Sequence, residues 1–141
     1  MEIERVEVPA AADIEFLHDR LYEFNVDATG LDDGRLLTFL VRDSGAIVAG
    51  LHGWTWGSSA WIDVLWVGAA ARSTGLGSRL LEAAEAEALA RGSTQMALST
   101  HTFQARPFYE RHGYHVIGLL DDHPRGHGQY TMRKTLTPTA R

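Results

Sequence analysis

Six residues, Arg72-Ser73-Thr74-Gly75-Leu76-Gly77, join an apolar, strand-like run at residues 61–67 to a helix-like run that ends at Arg91. A strand that hands a short, glycine-bearing loop to a helix start leaves unpaired amides pointing outward. The helix dipole adds partial positive charge there, and the missing side chains let an anion reach the backbone. This arrangement suits phosphate oxygens, and it fixes a strand–loop–helix unit near the middle of the chain. An unliganded strand-to-helix turn is the plain alternative for the hexapeptide taken alone.

Two common phosphate loops are excluded by the residues after Gly77. A Walker loop needs Lys and then Ser or Thr after its last glycine, whereas Ser78 and Arg79 stand there. A dinucleotide fingerprint needs Gly or Ala three residues after its second glycine, and Leu80 occupies that place. The surviving pattern is R-x-x-G-x-G. Leu65-Trp66-Val67 precedes it, and Ala105-x-x-Phe108-Tyr109-Glu110-Arg111-x-Gly113-Tyr114 comes after it. In this order and spacing the blocks closely resemble the GNAT superfamily of N-acetyltransferases, over roughly residues 54–134. The resemblance implies acetyl-CoA as cosubstrate. It also implies an α+β fold with a mixed, mostly antiparallel central sheet flanked by helices, and a splayed strand pair for the CoA arm.

The chain has 141 residues, enough for one core, so residues 1–136 are expected to form a single domain followed by a loose tail at 137–141. A net charge of −5 argues against nucleic-acid or anionic-membrane partners, which call for a basic surface. The chain holds no cysteine, which excludes disulfides, thiolate metal sites and a cysteine nucleophile. The first residues do not read as a signal peptide, and no apolar run approaches spanning length, so the expected compartment is the cytoplasm. His112/His115 and His123/His127 have usable spacing for a metal, but no acidic third ligand accompanies them, and no metal is expected.

Periodicity supplies the elements. Residues 3–8 alternate apolar and charged side chains and predict a half-buried strand, stopped by Pro9. Ile14, Leu17, Leu21 and Phe24 predict an amphipathic helix over 11–25. Strands are expected at 36–41, 47–54 and 61–67, the first two joined by a hairpin turn at Arg42-Asp43-Ser44-Gly45. A helix over 75–91 carries the stripe Leu76, Leu80, Leu81, Ala84, Ala88, with Gly92 as its cap. A strand at 95–99, a helix at 104–112 and strands at 114–120 and 130–136 complete the order.

Within the resemblance, each position takes an expected role. The amides of Arg72, Ser73, Thr74, Gly75, Leu76, Gly77 and Ser78, with the Arg72 guanidinium, hold the pyrophosphate, and the Thr74 and Ser78 hydroxyls are further donors. Leu65, Trp66 and Val67 offer main-chain groups to the pantetheine and to the oxyanion, a form of strand addition. Thr102 stands where many relatives place Asn against the pantetheine, and can offer only a hydroxyl. An amine must shed a proton before it attacks, which costs a lysine-like amine about 4–5 kcal/mol at pH 7. Asp63, two residues before Leu65 on the same expected face, is the candidate acceptor, either directly or through water; a structural Asp is the equal alternative. Tyr109 matches the tyrosine that serves the leaving sulfur, against a plain core role. Tyr22, Asn25, Trp54, Trp56 and His127, with Tyr130 nearby, would wall the amine site; Phe24 and Trp66 read equally well as core aromatics.

The implied function is acetyl transfer to a primary amine of a small molecule by direct attack in a ternary complex. A non-catalytic acyl-CoA-binding module and a peptide or protein N-acetyltransferase remain open, as does a homodimer.

Overall fold

The computed structural model describes residues 1–138; of the expected tail, residues 139–141 lie outside the described residues. Two compact units result, Met1–Asp32 and Asp33–Arg141.

The first unit is built on helix α1 (Ala11–Thr29), which starts after Ala10 and ends at Gly30, whose left-handed φ of 73° lets its N–H reach the Val26 carbonyl. The predicted strand at residues 3–8 is absent. Alternation makes a strand possible, but a strand exists only where a neighbour's backbone pairs with it, and no ladder includes these residues.

The second unit is a six-stranded sheet in the order β1-β2-β3-β4-β6-β5. Its strands are β1 (Arg35–Asp43), β2 (Ala46–Trp56), β3 (Ser59–Val67), β4 (Gln95–His101), β5 (His115–Asp121) and β6 (Gly128–Thr135). Helices α2 (Leu76–Ala90) and α3 (Arg106–Arg111) follow β3 and β4. All pairings are antiparallel except β3 with β4. The fold is therefore α+β with a mixed, mostly antiparallel sheet, as the sequence implied.

The elements form for local reasons. Ser44 and Gly45 both take positive φ, 50° and 84°, which matches the twist of a two-residue hairpin between β1 and β2. The α2 stripe is buried at Leu80, Leu81, Ala84 and Ala88, and Leu76 packs against its edge. Facing it are Leu37 of β1, Ala49 and Leu51 of β2, Ala60 and Ile62 of β3, Met96 and Leu98 of β4 and Met132 of β6. Arg91 fastens the C-terminal end of α2 to the sheet. It donates to the Leu36 carbonyl at 2.9 Å and to the buried Thr55 hydroxyl at 3.1 Å, and pairs with Glu87 at 3.0 Å.

One irregularity shapes everything downstream. In the β2–β3 ladder Ile62 pairs with Gly53 and Val64 with His52, leaving Asp63 without a partner. This is a β-bulge, and it requires glycine opposite: a Cβ on Gly53 would lie 1.9 Å from the Trp61 carbonyl oxygen. The bulge also reverses the alternation of β3. Its core-side residues are Ala60 and Ile62, then Leu65 and Val67, which are three residues on rather than two.

Candidate active site

Strands β3 and β4 pair only from Ser59/Gln95 to Ile62/Leu98, and then part at the bulge while each runs on for several residues. On its other side β3 stays bound to β2 as far as Val67, and β4 to β6 as far as His101. The divergence opens a cleft of about 900 Å³. Its walls bring together Asp63, Leu65, Trp66, Val67, Arg72, Gly77 and Tyr109 from the expected set. Ser99, Thr100 and His101 of β4, Phe103 and Gln104 just after it, and Gln129 of β6 also line it. The splay implied by the resemblance is present in the register.

The loop lies at one end of this cleft. A single 3-10 turn (Ala69–Ala71) follows β3, Ser73 takes φ 64°, and Gly75 takes φ 82° as it starts α2. No side chain caps α2, and the first backbone bond closing it runs from Arg79 N–H to the Gly75 carbonyl. The amides of the first turn are thus left without helical acceptors, with the dipole behind them. Arg72 donates its Nε to the Val67 carbonyl at 3.1 Å, which holds its guanidinium at the cleft. A Cβ on Gly77 would touch the Phe108 ring at 3.4 Å, so this glycine lets α2 start close against α3. The two hydroxyls proposed as donors are otherwise engaged. Thr74 donates to the Ala71 carbonyl, and Ser78 Oγ lies 2.9 Å from His112 Nε2.

Tyr109 is buried, 7% exposed, on α3. Its ring meets Phe108 and Tyr114 edge-on at 5.2 and 5.8 Å. Burial pushes its phenol up to about 12. Tyr114 is raised as well, first by burial and then by the neighbouring Glu85 carboxylate that its hydroxyl touches at 3.0 Å. A Tyr109 held neutral on a cleft wall keeps its hydroxyl proton and is able to donate it in a hydrogen bond, but does not readily give it up.

Other positions depart from expectation. Asp63 lines the cleft but not by alternation with Leu65 and Val67; it is the unpaired, exposed bulge residue. Trp66 is 48% exposed rather than core. Thr102 is outside the cleft wall: its N–H donates to the Gly128 carbonyl and its hydroxyl accepts from Gly128 N–H, tying the end of β4 to β6. Trp54 and Trp56 line a second hollow of about 390 Å³, with Gln95, Ile117 and Arg133, that shares Trp61 with the cleft. His127 stands outside the cleft wall with its ring edge-on to Phe103 at 5.0 Å, and Arg106 lies over the Tyr130 ring at 4.6 Å. Tyr22 and Asn25 belong to α1, in the N-terminal unit. Among the described residues no three acidic or imidazole side chains gather as a metal site, and no helix is long and apolar enough to cross a membrane.

His101, the last residue of β4, lines the cleft but is not among the positions the sequence singled out. Its signal was faint: a lone histidine closing an apolar/polar alternation at the C-terminal end of a strand.

The model of the acetyltransferase (GNAT) family matches residues 2–114. Blasticidin-S acetyltransferase of Streptomyces morookaense is 38% identical over 103 residues, 70% of this chain and 74% of that protein. Acetyltransferase Atu2258 of Agrobacterium fabrum is 33% identical over 74% of this chain and 77% of its own length. The crystal structure of an acetyltransferase from Bacillus cereus superposes with a TM-score of 0.77 at 29% identity, covering 94% of this chain and 98% of that one. Splayed strands, an open helix start and a match across most of the sequence agree: the chain belongs to the GNAT family and is an acetyltransferase.

Proposed function

We propose that this enzyme transfers the acetyl group of acetyl-CoA to a primary amine on a small molecule, by direct attack in a ternary complex. The observation that carries this reading is the parting of β3 from β4 beside an uncapped helix start. The freed edge of β3 at residues 63–67 offers main-chain donors and acceptors to an extended amide-bearing arm, while the first-turn amides of α2 and the Arg72 guanidinium suit a diphosphate. Tyr109 donates a hydrogen bond to the departing sulfur. Asp63, on the opposite wall, attracts the acceptor in its ammonium form. The relative that acetylates blasticidin-S supports a small-molecule acceptor.

Thiol release from acetyl-CoA, followed across a panel of small amines and short peptides, tests this directly. Amine-dependent, saturable thiol release with the small amines is expected. Saturable acetyl-CoA binding with no stimulation by any amine would replace the enzyme with an acyl-CoA-binding module. Stimulation by peptides alone would move the acceptor to proteins. Arg72→Ala is expected to weaken acetyl-CoA binding measured by calorimetry.

A further inference from the structure

We propose that His101 is the general base of this enzyme, taking a proton at Nε2 from the acceptor amine as it attacks; the inference rests on the acetyl-transfer reading. His101 is the last residue of β4, on the side opposite the buried Met96, Leu98 and Thr100, and it lines the cleft. Its Nδ1 lies 3.0 Å from the carbonyl oxygen of His123. A carbonyl only accepts, so Nδ1 must carry the hydrogen in this bond, and the neutral ring then bears its lone pair on Nε2. No hydrogen bond among the described residues engages Nε2.

The ring is also held in place. It stacks on Phe103 at 5.2 Å with the planes 5° apart, and its backbone N–H donates to Gln104 Oε1 at 2.7 Å. His123 lies at 5.4 Å, and His127 meets the Phe103 ring edge-on at 5.0 Å. An oriented imidazole of fixed tautomer, backed by a carbonyl that stabilises the imidazolium once it forms, has what a base requires. Among the charged and titratable groups, Asp63 on β3, Arg72 after it and Tyr109 on α3 line the same cleft, while His123 meets the ring and His127 meets Phe103, both on the segment before β6. Gln104 and Gln129 are its neutral polar neighbours.

Atoms and charge balance across the step. The ammonium first loses one proton to water. The amine nitrogen then forms its bond to the thioester carbonyl carbon, and His101 Nε2 takes the second proton. The C–S bond breaks with its electron pair on sulfur, the thiolate takes a proton from water, and His101 returns its own to solvent. The sum is an amide, a thiol and one proton.

His101→Asn keeps a donor for the His123 carbonyl and removes the base; His101→Ala removes both. With an amine that the wild type acetylates, His101→Asn is expected to lower kcat by about 10²–10³-fold. Its acetyl-CoA affinity should stay unchanged, its melting temperature should fall by no more than about 2–5 °C for the lost ring stacking, and the acidic limb of the kcat–pH profile should disappear. A wild-type rate and limb in His101→Asn would overturn the proposal. So would parallel loss of acetyl-CoA binding, which assigns His101 a structural role, or abolition of the limb by Asp63→Asn alone. A wild type inert toward every amine removes the acetyl-transfer reading and this inference together, whereas an active wild type with active His101 variants removes only this inference.

Discussion

Replacing Gly53 by Ala tests the physical origin of the cleft. The added methyl carbon would start 1.9 Å from the Trp61 carbonyl oxygen and 3.0 Å from the Ile62 Cα. Carbon and oxygen tolerate roughly 3.2 Å, so β2 and β3 must separate by about 1.3 Å at this point, or the bulge must unwind. Neither obstacle is a movable side chain; both atoms are backbone. Overpacking of this kind costs about 2–3 kcal/mol, which for a domain of this size lowers Tm by about 6–10 °C. The displacement also falls where β3 leaves β4, and a misplacement of about 1 Å there is expected to lower kcat/KM by about 100-fold. Gly50→Ala on the same strand is the control. Its methyl would meet the Leu40 side chain at 2.9 Å, which can swing aside, and the Phe39 carbonyl at 3.2 Å, so it should lose less than half as much stability. Thermal melts and thiol-release kinetics on both variants decide the matter. A Gly53→Ala protein with wild-type Tm and kcat/KM would refute the claim that this close approach shapes the site.

Two further residues give sharp expectations. With Tyr109 pushed up to about 12, full proton transfer to a thiolate of pKa about 8.5 is uphill by about 5 kcal/mol, so its contribution is a hydrogen bond. Tyr109→Phe should therefore lower kcat by about 10–100-fold with acetyl-CoA affinity intact; an unchanged kcat would take Tyr109 out of the mechanism. Because the folded protein keeps the Tyr109 proton longer than the unfolded chain, the associated stability is whole below pH 10 and is lost as pH rises towards 12. Denaturant melts between pH 9.5 and 11.5 should accordingly fall less steeply for Tyr109→Phe than for the wild type, and parallel curves would count against the shift. Arg91→Ala strips Thr55, the Leu36 carbonyl and Glu87 of their partner and is expected to cost about 2–3 kcal/mol in urea melts without changing acetyl-CoA affinity.

What the sequence revealed was what local chemistry dictates. Ser44 and Gly45 announce a hairpin because only particular backbone angles close one, and the α2 stripe from Leu76 to Ala88 faces the core because 3.6-residue spacing leaves no other choice. The loop was legible for the same reason: uncapped amides follow from its own residues. Failures came where a distant partner decides. Residues 3–8 alternate correctly yet join no ladder. The place of Trp54 and Trp56 is likewise set by register, which puts Trp54 opposite Trp61 and Trp56 opposite Ser59, around a hollow that shares Trp61 with the cleft. His101 escaped notice because its value lies in a bond to His123, 22 residues away.

Asp63 shows how one such failure reaches the chemistry. Strict alternation would put it on the Leu65 and Val67 face, yet the bulge inserts it as an extra residue. The same insertion increases the local twist of β3, and a strand that twists away from a parallel neighbour leaves that side of its backbone without hydrogen-bond partners. Ordinarily a protein covers such an edge with a helix or a loop. Here the edge of residues 63–67 faces a cleft large enough for a ligand, with the open turn of α2 at one end and Tyr109 and His101 in its walls. A main-chain edge cannot select a ligand by side chain; it selects by spacing between amides. The chemistry of the site then depends on glycine at 53 as much as on any group that touches the reacting atoms, since without the bulge β3 would stay paired with β4 and the edge would be satisfied within the protein.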